Sequence, residues 1–287
     1  MKPVLRIEEM LPDEIESLQK AGNDLAIIPI GSLEQHGPHL FLGCDGYIAQ
    51  AKAQEIARAS GGILFPMVNF SWVGATNAFS GGIGVRQSTF IQYLRSVVKG
   101  VRESGFRRIL IVNGHGGNFY AMRSLPHDLF REEGIVVVTS YGFANCAEAR
   151  RLCSDEGSAL TGALMLLGRN DLVDEALSNC QKAMEEFGEQ RLRHRPEMFN
   201  ELHKAGLHVG LDYEHECLHV YPRAMKPENG KLAILAMARH VAEHLDALGD
   251  YVDEVGGTGK MPLKSKKEIT GSRKSAKPAS RKRRRAR

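Results

Sequence analysis

No stretch of this 287-residue chain stays apolar over the roughly 18 residues that a membrane span needs. Its first residues, Met1-Lys-Pro-Val-Leu-Arg-Ile7, hold neither the apolar run nor the small-residue cleavage site of a secretory signal. Cysteine is sparse. Cys44, Cys146, Cys153, Cys180 and Cys217 are odd in number and scattered, which makes neither a disulfide framework nor a zinc-spacing pattern. Together these absences predict a reduced, cytoplasmic protein with no membrane span. Aromatic residues are also few, at 7% with a single tryptophan. Trp72 and Phe79 could wall a pocket, although isolated aromatics more often belong to a core.

What is abundant is positive charge in one place. The formal net charge is only +4, but 13 of the 38 Lys and Arg residues and one of the 34 acids lie from Lys260 onward, so that segment carries +12 and the rest −8. Rich in Ser, Gly, Lys and Pro and closing on Ser280-Arg-Lys-Arg-Arg-Arg-Ala-Arg287, it cannot bury enough apolar surface to fold. The expectation is a disordered basic tail over 256–287. Such a tail would make weak, non-specific contact with nucleic acid, acidic lipid or an acidic partner.

The remaining 1–255 reads as one large α/β domain, since 43% hydrophobic content over this length can bury a sizeable core. Short apolar runs predict strands over 25–30, 62–66, 107–112 and 135–140. Helical spacing predicts helices over 12–21, 46–59, 88–98, 119–133, 161–167 and 232–248. Helical crossovers between apolar strands imply a single-domain sandwich, a mostly parallel sheet with helices on both faces.

The informative stretch runs from Leu25 to Asp45. Leu25-Ala-Ile-Ile-Pro-Ile30 is a strand buried on both faces, stopped by Gly31. Then comes Gly31-Ser-Leu-Glu34-Gln-His36-Gly-Pro-His39-Leu-Phe-Leu-Gly-Cys-Asp45. Glu34 and His36, two apart in an extended segment, leave the same face and can converge on one ion. Gly37, Pro38 and Gly43 permit a chain reversal that would bring the Asp45 carboxylate beside them. Two carboxylates and an imidazole suit zinc, manganese or iron(II). A second strand, Arg107-Arg-Ile-Leu-Ile-Val112, runs into Asn113-Gly-His115-Gly-Gly-Asn118, placing another histidine where open α/β sheets hold their ligands. Cys44 could reach a metal, but a small residue packing the loop is its alternative role. His39 either orients its loop or contacts substrate. Asn113 and Asn118 brace the loop or touch substrate. His203, His208, Glu214, His215, Glu216 and His219 are dense enough for a separate metal site, or form a solvated polar loop.

The paired motifs, with Leu164-Met-Leu-Leu-Gly-Arg-Asn-Asp-Leu-Val173 and Pro222-Arg-Ala-Met-Lys-Pro-Glu-Asn-Gly-Lys231, resemble the creatininase (creatinine amidohydrolase) family over residues 5 to 250. The resemblance implies a metal-dependent hydrolase cleaving a C–N bond in a small cyclic or linear amide by a metal-activated water. It implies two divalent ions per subunit, zinc with manganese or iron as alternatives, and a homo-oligomer, hexameric by that likeness. Glu34, Asp45 and His115 would hold one ion, His36 and the bridging Asp45 the other.

Two segments depart from the family. Members carry His-Ala-Gly-Glu-x-Glu-Thr before the Leu-Met-Leu landmark, supplying a catalytic histidine and a glutamate for the second ion. This chain has Asp155-Glu156-Gly-Ser-Ala-Leu-Thr161-Gly. One register puts Glu156 at the histidine and Ala159 and Thr161 at the glutamates; the other puts Asp155, Ser158 and Leu160 there. The creatininase subgroup proper carries a glutamate in its Asn-Gly-His-x-Glu-Asn loop, where this chain has Gly117. A His-x-x-Phe-Pro-Gly-Thr segment is likewise altered, to Thr76-Asn-Ala-Phe79-Ser-Gly-Gly-Ile. Glu156 is therefore the candidate catalytic residue, supplying the missing oxygen directly or through water, with Asp155 as fallback and a helix-capping acid as the alternative. The competing function is a catalytically degenerate relative that serves as a binding or assembly protein through its basic tail.

Overall fold

The computed structural model describes residues 3–143, 146–187, 201–202, 204–205 and 220–255. The expected basic tail and the histidine-rich cluster lie outside the described residues. Strands β1 (Leu5–Arg6), β2 (Leu25–Ile30), β3 (Ile63–Leu64), β4 (Arg108–Asn113) and β5 (Val137–Tyr141) form one sheet in the order β1-β3-β2-β4-β5, every neighbouring pair parallel. The two central strands pair along their full length, from Leu25 opposite Arg108 to Ile30 opposite Asn113.

Alternation along β2 and β4 divides the apolar residues between two helical layers. Ala26, Ile28, Ile30, Ile109 and Ile111 pack against Phe90, Leu94 and Val98 of α3 (Gln87–Glu103) and Leu125 and Leu129 of α5 (Leu125–Glu133). On the other face Leu25, Ile27, Leu110 and Val112 meet Ala53 and Ile56 of α2 (Cys44–Ser60), Ala238 of α9 (Pro227–Ala242) and Leu248 and Val252 of α10 (Leu245–Val255). A further cluster behind α2 joins it to α6 (Ala147–Leu152), α7 (Glu156–Leu166) and α9. The α/β sandwich with a parallel sheet and helices on both faces is thus what forms. No helix among the described residues is long and apolar enough to cross a membrane.

Several boundaries differ from those predicted. The helix expected over 119–133 is two, α4 (Gly116–Ala121) and α5, because Pro126 lies in the first turn of α5 and starts a helix more readily than it continues one. The helix expected over 232–248 is α9 followed by α10. Helix α7 begins five residues before the expected 161, at Glu156, where Asp155 caps it by accepting from the Ser158 N–H at 2.7 Å. Helix α1 (Pro12–Lys20) falls where predicted, whereas α6 and α8 (Asn170–Phe187) were not anticipated. The boundary with most bearing on function is that of α2, which starts at Cys44 and places Asp45 in its first turn rather than on a loop.

Candidate active site

Because β2 and β4 are neighbours, the loops leaving their carboxyl ends emerge together, and the Gly114 N–H donates to the Ile30 carbonyl at 2.9 Å. The start of α2 seats directly on them. A Cβ on Gly31 would lie 2.4 Å from the Gly46 Cα, and one on Gly114 would lie 2.2 Å from the Asp45 carbonyl oxygen. This backbone contact carries the Asp45 side chain between the two loops. Gly114→Ala is therefore expected to destabilise the fold by about 1–3 kcal/mol by forcing α2 off the strand ends. A urea midpoint equal to the parent's would contradict that close packing.

Glu34, His36, Asp45 and His115 meet in one buried cluster. His115 Nδ1 lies 2.6 Å from Glu34 Oε1 and 2.8 Å from Asp45 Oδ2, while the other Asp45 oxygen lies 3.3 Å from His36 Nε2. His115 Nε2 donates to the Trp72 carbonyl at 3.1 Å, which leaves Nδ1 as the nitrogen turned to the carboxylates. His36 is held the same way, Nδ1 to the Glu34 carbonyl at 3.1 Å and Nε2 to the cluster. Hydroxyls complete the setting: Ser32 Oγ is 2.9 Å from Asp45 Oδ2 and 3.2 Å from Glu34 Oε1, and Thr76 donates to Glu34.

Burial opposes charge on His36, but the facing Asp45 outweighs it and holds the ring at about 9. His115, likewise desolvated, is held at about 10 by Asp45 and Glu34. Asp45 is well below the usual carboxylate range, the two histidines prevailing over its burial. Burial, and after it the neighbouring carboxylates, push the Cys44 thiol up, so without a cation it stays protonated.

The donor set fits a divalent ion. Ligand atoms of Glu34, Asp45 and His115 lie within 4.8 Å of one another, as do those of His36, Cys44 and Asp45, and Asp45 is common to both groups. One ring nitrogen with at most one hydrogen cannot satisfy two carboxylates, whereas a cation among the three can.

Of the other expected residues, Asn113 and Asn118 brace the loops. Asn113 bonds the His115 backbone at both its N–H and its carbonyl, and Asn118 Nδ2 donates to the Gly31 carbonyl at 3.2 Å, tying one loop to the other. Trp72 packs partly buried against the sheet and Phe79 is buried. Glu156 stands in the first turn of α7, exposed at the rim of a cleft of about 230 Å³ that it shares with His39, Ser154, Asp155, Gly157, Val220, Tyr221 and Arg223. Its carboxyl is raised, by loss of water first and by Asp45 and Glu34, against the pull of His36 and His115. Glu156 belongs to neither converging group of ligands, and the cap of α7 is Asp155. A larger, mainly apolar cavity of about 400 Å³ between β5 and α9–α10 contains none of these residues.

The family model for creatinine amidohydrolase (Creatininase) matches residues 8–245. The chain belongs to the creatininase family. It is 26% identical over 236 residues to a 2-amino-5-formylamino-6-ribosylaminopyrimidin-4(3H)-one 5'-monophosphate deformylase from Methanobrevibacter ruminantium, covering 79% of this chain and 92% of that protein. With 3-dehydro-scyllo-inosose hydrolase from Thermotoga maritima it shares 34% identity over 97 residues, 33% of this chain and only 31% of that relative's length. Solved creatininase structures, one described as a Zn-Zn type and one as Creatininase Mn, each superpose with a TM-score of 0.57 at 20% identity, covering 86% of this chain and 98% of theirs. The creatininase fold is therefore shared.

Ser32 and Thr76 are the site residues that the sequence reading missed. Thr76 stands where the family segment has histidine, and that substitution was the only available signal.

Proposed function

We propose that the protein is a metal-dependent amidohydrolase of the creatininase type, acting on a non-peptide C–N bond in a small cyclic or linear amide. The observation that carries this reading is Asp45 addressing both histidines with different oxygens inside a buried cluster. Holding four polar ligands together out of water is costly unless an ion repays it. Glu34, Asp45 and His115 would hold one divalent ion and His36 with Asp45 a second, zinc first, manganese or iron as alternatives; relatives of zinc and manganese form support that choice. When bound, such a pair supplies Lewis acidity and an activated water. The chain's own residues do the rest: Ser32 and Thr76 fix the carboxylates, Trp72 fixes the His115 tautomer, and the cleft beside Glu156 receives the substrate. Metal analysis followed by hydrolysis assays on small lactams, formamides and lactones tests the reading. A protein that takes up metal but turns over none of these would count against an amide substrate.

A second reading, a degenerate relative with a binding or assembly role, is favoured by one observation. Where the resemblance expects glutamates, Ala159 and Leu160 are buried in the core, Ser158 Oγ accepts from the Lys226 N–H at 2.8 Å and Thr161 is bonded to the Gly157 carbonyl within α7, so none is free to hold an ion.

We read residues 1–255 as the hydrolase domain, in a cytoplasmic setting consistent with four free, buried cysteines among the described residues. Exposed Leu42, Phe70, Ile83, Phe119 and Tyr120 support a homo-oligomer. The tail from Lys260 would attract nucleic acid or an acidic partner. Deleting it is expected to leave the melting temperature nearly unchanged and to abolish salt-sensitive retention on heparin. A large fall in melting temperature would show instead that the tail is docked.

A further inference from the structure

We propose that His39 is a substrate-contacting residue, presenting its Nε2–H to an acceptor oxygen, carbonyl or carboxylate, of the molecule that enters the cleft beside Glu156. The proposal rests on the hydrolase reading above and assigns one wall of its substrate site. His39 is 3% exposed and its Nδ1 is buried without a hydrogen-bond partner. Its surroundings explain the ring's orientation. Gly37 has φ +75°, and a Cβ there would lie 2.9 Å from His39 Nδ1 and Cε1 and 2.2 Å from the Val220 carbonyl oxygen. Nδ1 is thus closed in against the backbone of its own loop, and Nε2, which is not among the buried unpartnered atoms and takes no hydrogen bond among the described residues, is the ring nitrogen left accessible to the cleft that His39 lines with Glu156, Tyr221 and Arg223.

Two other roles fit less well. A histidine that braced its loop would spend a ring nitrogen on that loop's backbone, yet among the described residues neither nitrogen of His39 has a hydrogen-bond partner. A metal ligand would join one of the converging groups, and His39 joins neither. Burial, and after it the charge of His36, lowers the ring to about 4, which keeps it neutral over the ordinary pH range. A neutral imidazole carries one N–H and one bare nitrogen. With Nδ1 sealed, a proton on Nε2 leaves the N–H in the polar cleft, where a substrate oxygen can accept it. The chemistry selects a substrate with an acceptor oxygen at this point and disfavours an ammonium there.

The test uses the full chain loaded with zinc and acetohydroxamate as the probe, a small carbonyl ligand that also chelates. Calorimetry is expected to show binding about tenfold weaker in His39→Ala and within about threefold of the parent in His39→Gln, whose amide restores an N–H. Zinc content should be the same in all three. Equal affinity in the parent and His39→Ala, or His39→Gln as weak as His39→Ala, would overturn the assignment, as would a loss of zinc parallel to the loss of affinity. Should His39→Ala fail to fold, the ¹⁵N signal of His39 Nε2 in the parent takes its place: a shift on adding acetohydroxamate supports the contact, and none overturns it. A parent that takes up no zinc sinks the hydrolase reading itself, an outcome visible without any His39 variant.

Discussion

Replacing His115 by alanine is expected to strip the protein of most of its bound divalent metal, weakening the tighter site by more than about 100-fold, since losing even an outer partner of a metal ligand typically costs 10–100-fold. His115 is held by the Trp72 carbonyl through Nε2 so that Nδ1 faces Glu34 and Asp45 together. Alanine removes the donor that Glu34 and Asp45 share and leaves His36, on the other Asp45 oxygen, as the imidazole facing the two buried carboxylates. The same geometry sets the pH dependence. After chelation, His36 and His115 titrate near 9 and 10, above the ordinary histidine value near 6.5. The folded protein then holds protons that the unfolded chain releases. Their stabilising contribution is full below about pH 6.5 and is lost as pH rises through 9 to 10. An incoming ion competes with those protons, so zinc affinity should climb with pH across that window and uptake at pH 7 should release about two protons, one fewer in His115→Ala. Calorimetry in buffers of different ionisation enthalpy counts them. Unchanged metal stoichiometry in His115→Ala would sink the ligand assignment.

How much of this was legible in the sequence depended on whether a residue's neighbours are local. The two strands were readable because each is a short apolar run ended by Gly31 or by the Asn113–Gly114 pair, and parallel pairing of β2 with β4 then brings the two polar loops together without further information. Asp45 was placed near Glu34 and His36 through a flexible reversal at Gly37, Pro38 and Gly43. That reversal forms, with Gly37 at φ +75° and the Glu34 N–H donating to the Leu42 carbonyl at 3.0 Å, but it delivers Asp45 into the first turn of α2, pressed onto Gly31 and Gly114 by backbone contacts too close for any side chain. Such a contact is tertiary and leaves no periodic trace. Thr76 and Ser32 were illegible for a related reason. Hydroxyl residues are common, and Thr76 reaches Glu34 only because a 3-10 turn over Gly74–Ala78 folds back onto the loop 42 residues upstream. The break between α4 and α5 escaped notice because apolar spacing continues across Met122 and Leu125, both buried in one cluster. Helix α8 was readable in principle, with Val173, Ala176, Cys180 and Ala183 buried at helical spacing.

Glu156→Gln is expected to abolish or weaken by at least tenfold the second, looser metal site while sparing the tighter one. Glu156 occupies or adjoins the position where the family carries a catalytic histidine. Asp155, the other candidate, is engaged by the Ser158 N–H as the cap of α7 and is thereby fixed away from the role. The Glu156 carboxyl, by contrast, stands at the cleft rim with no hydrogen bond to the helix end, close enough to His36, Asp45 and Glu34 for their charges to act on it. Loss of water and two neighbouring carboxylates raise it when no cation is present, and two adjacent cations would drive it to the ionised form. An ionised carboxylate beside an ion pair is a ligand or a base, not a proton donor. Since Ala159 and Leu160 are committed to the core, Thr161 to the Gly157 carbonyl and Ser158 Oγ to the Lys226 N–H at 2.8 Å, Glu156 is the oxygen donor left on this helix to turn toward His36 and Asp45. Glutamine keeps the size and one acceptor oxygen but removes the charge, so a change in metal affinity reports the charge rather than a packing defect, and an unchanged melting temperature in the metal-free protein checks that. Two-site zinc titration decides the matter. Loss of the weaker step alone supports Glu156 as the substitute ligand, directly or through a water, and an unaltered two-step curve shows that the second ion, if it binds, is held without it.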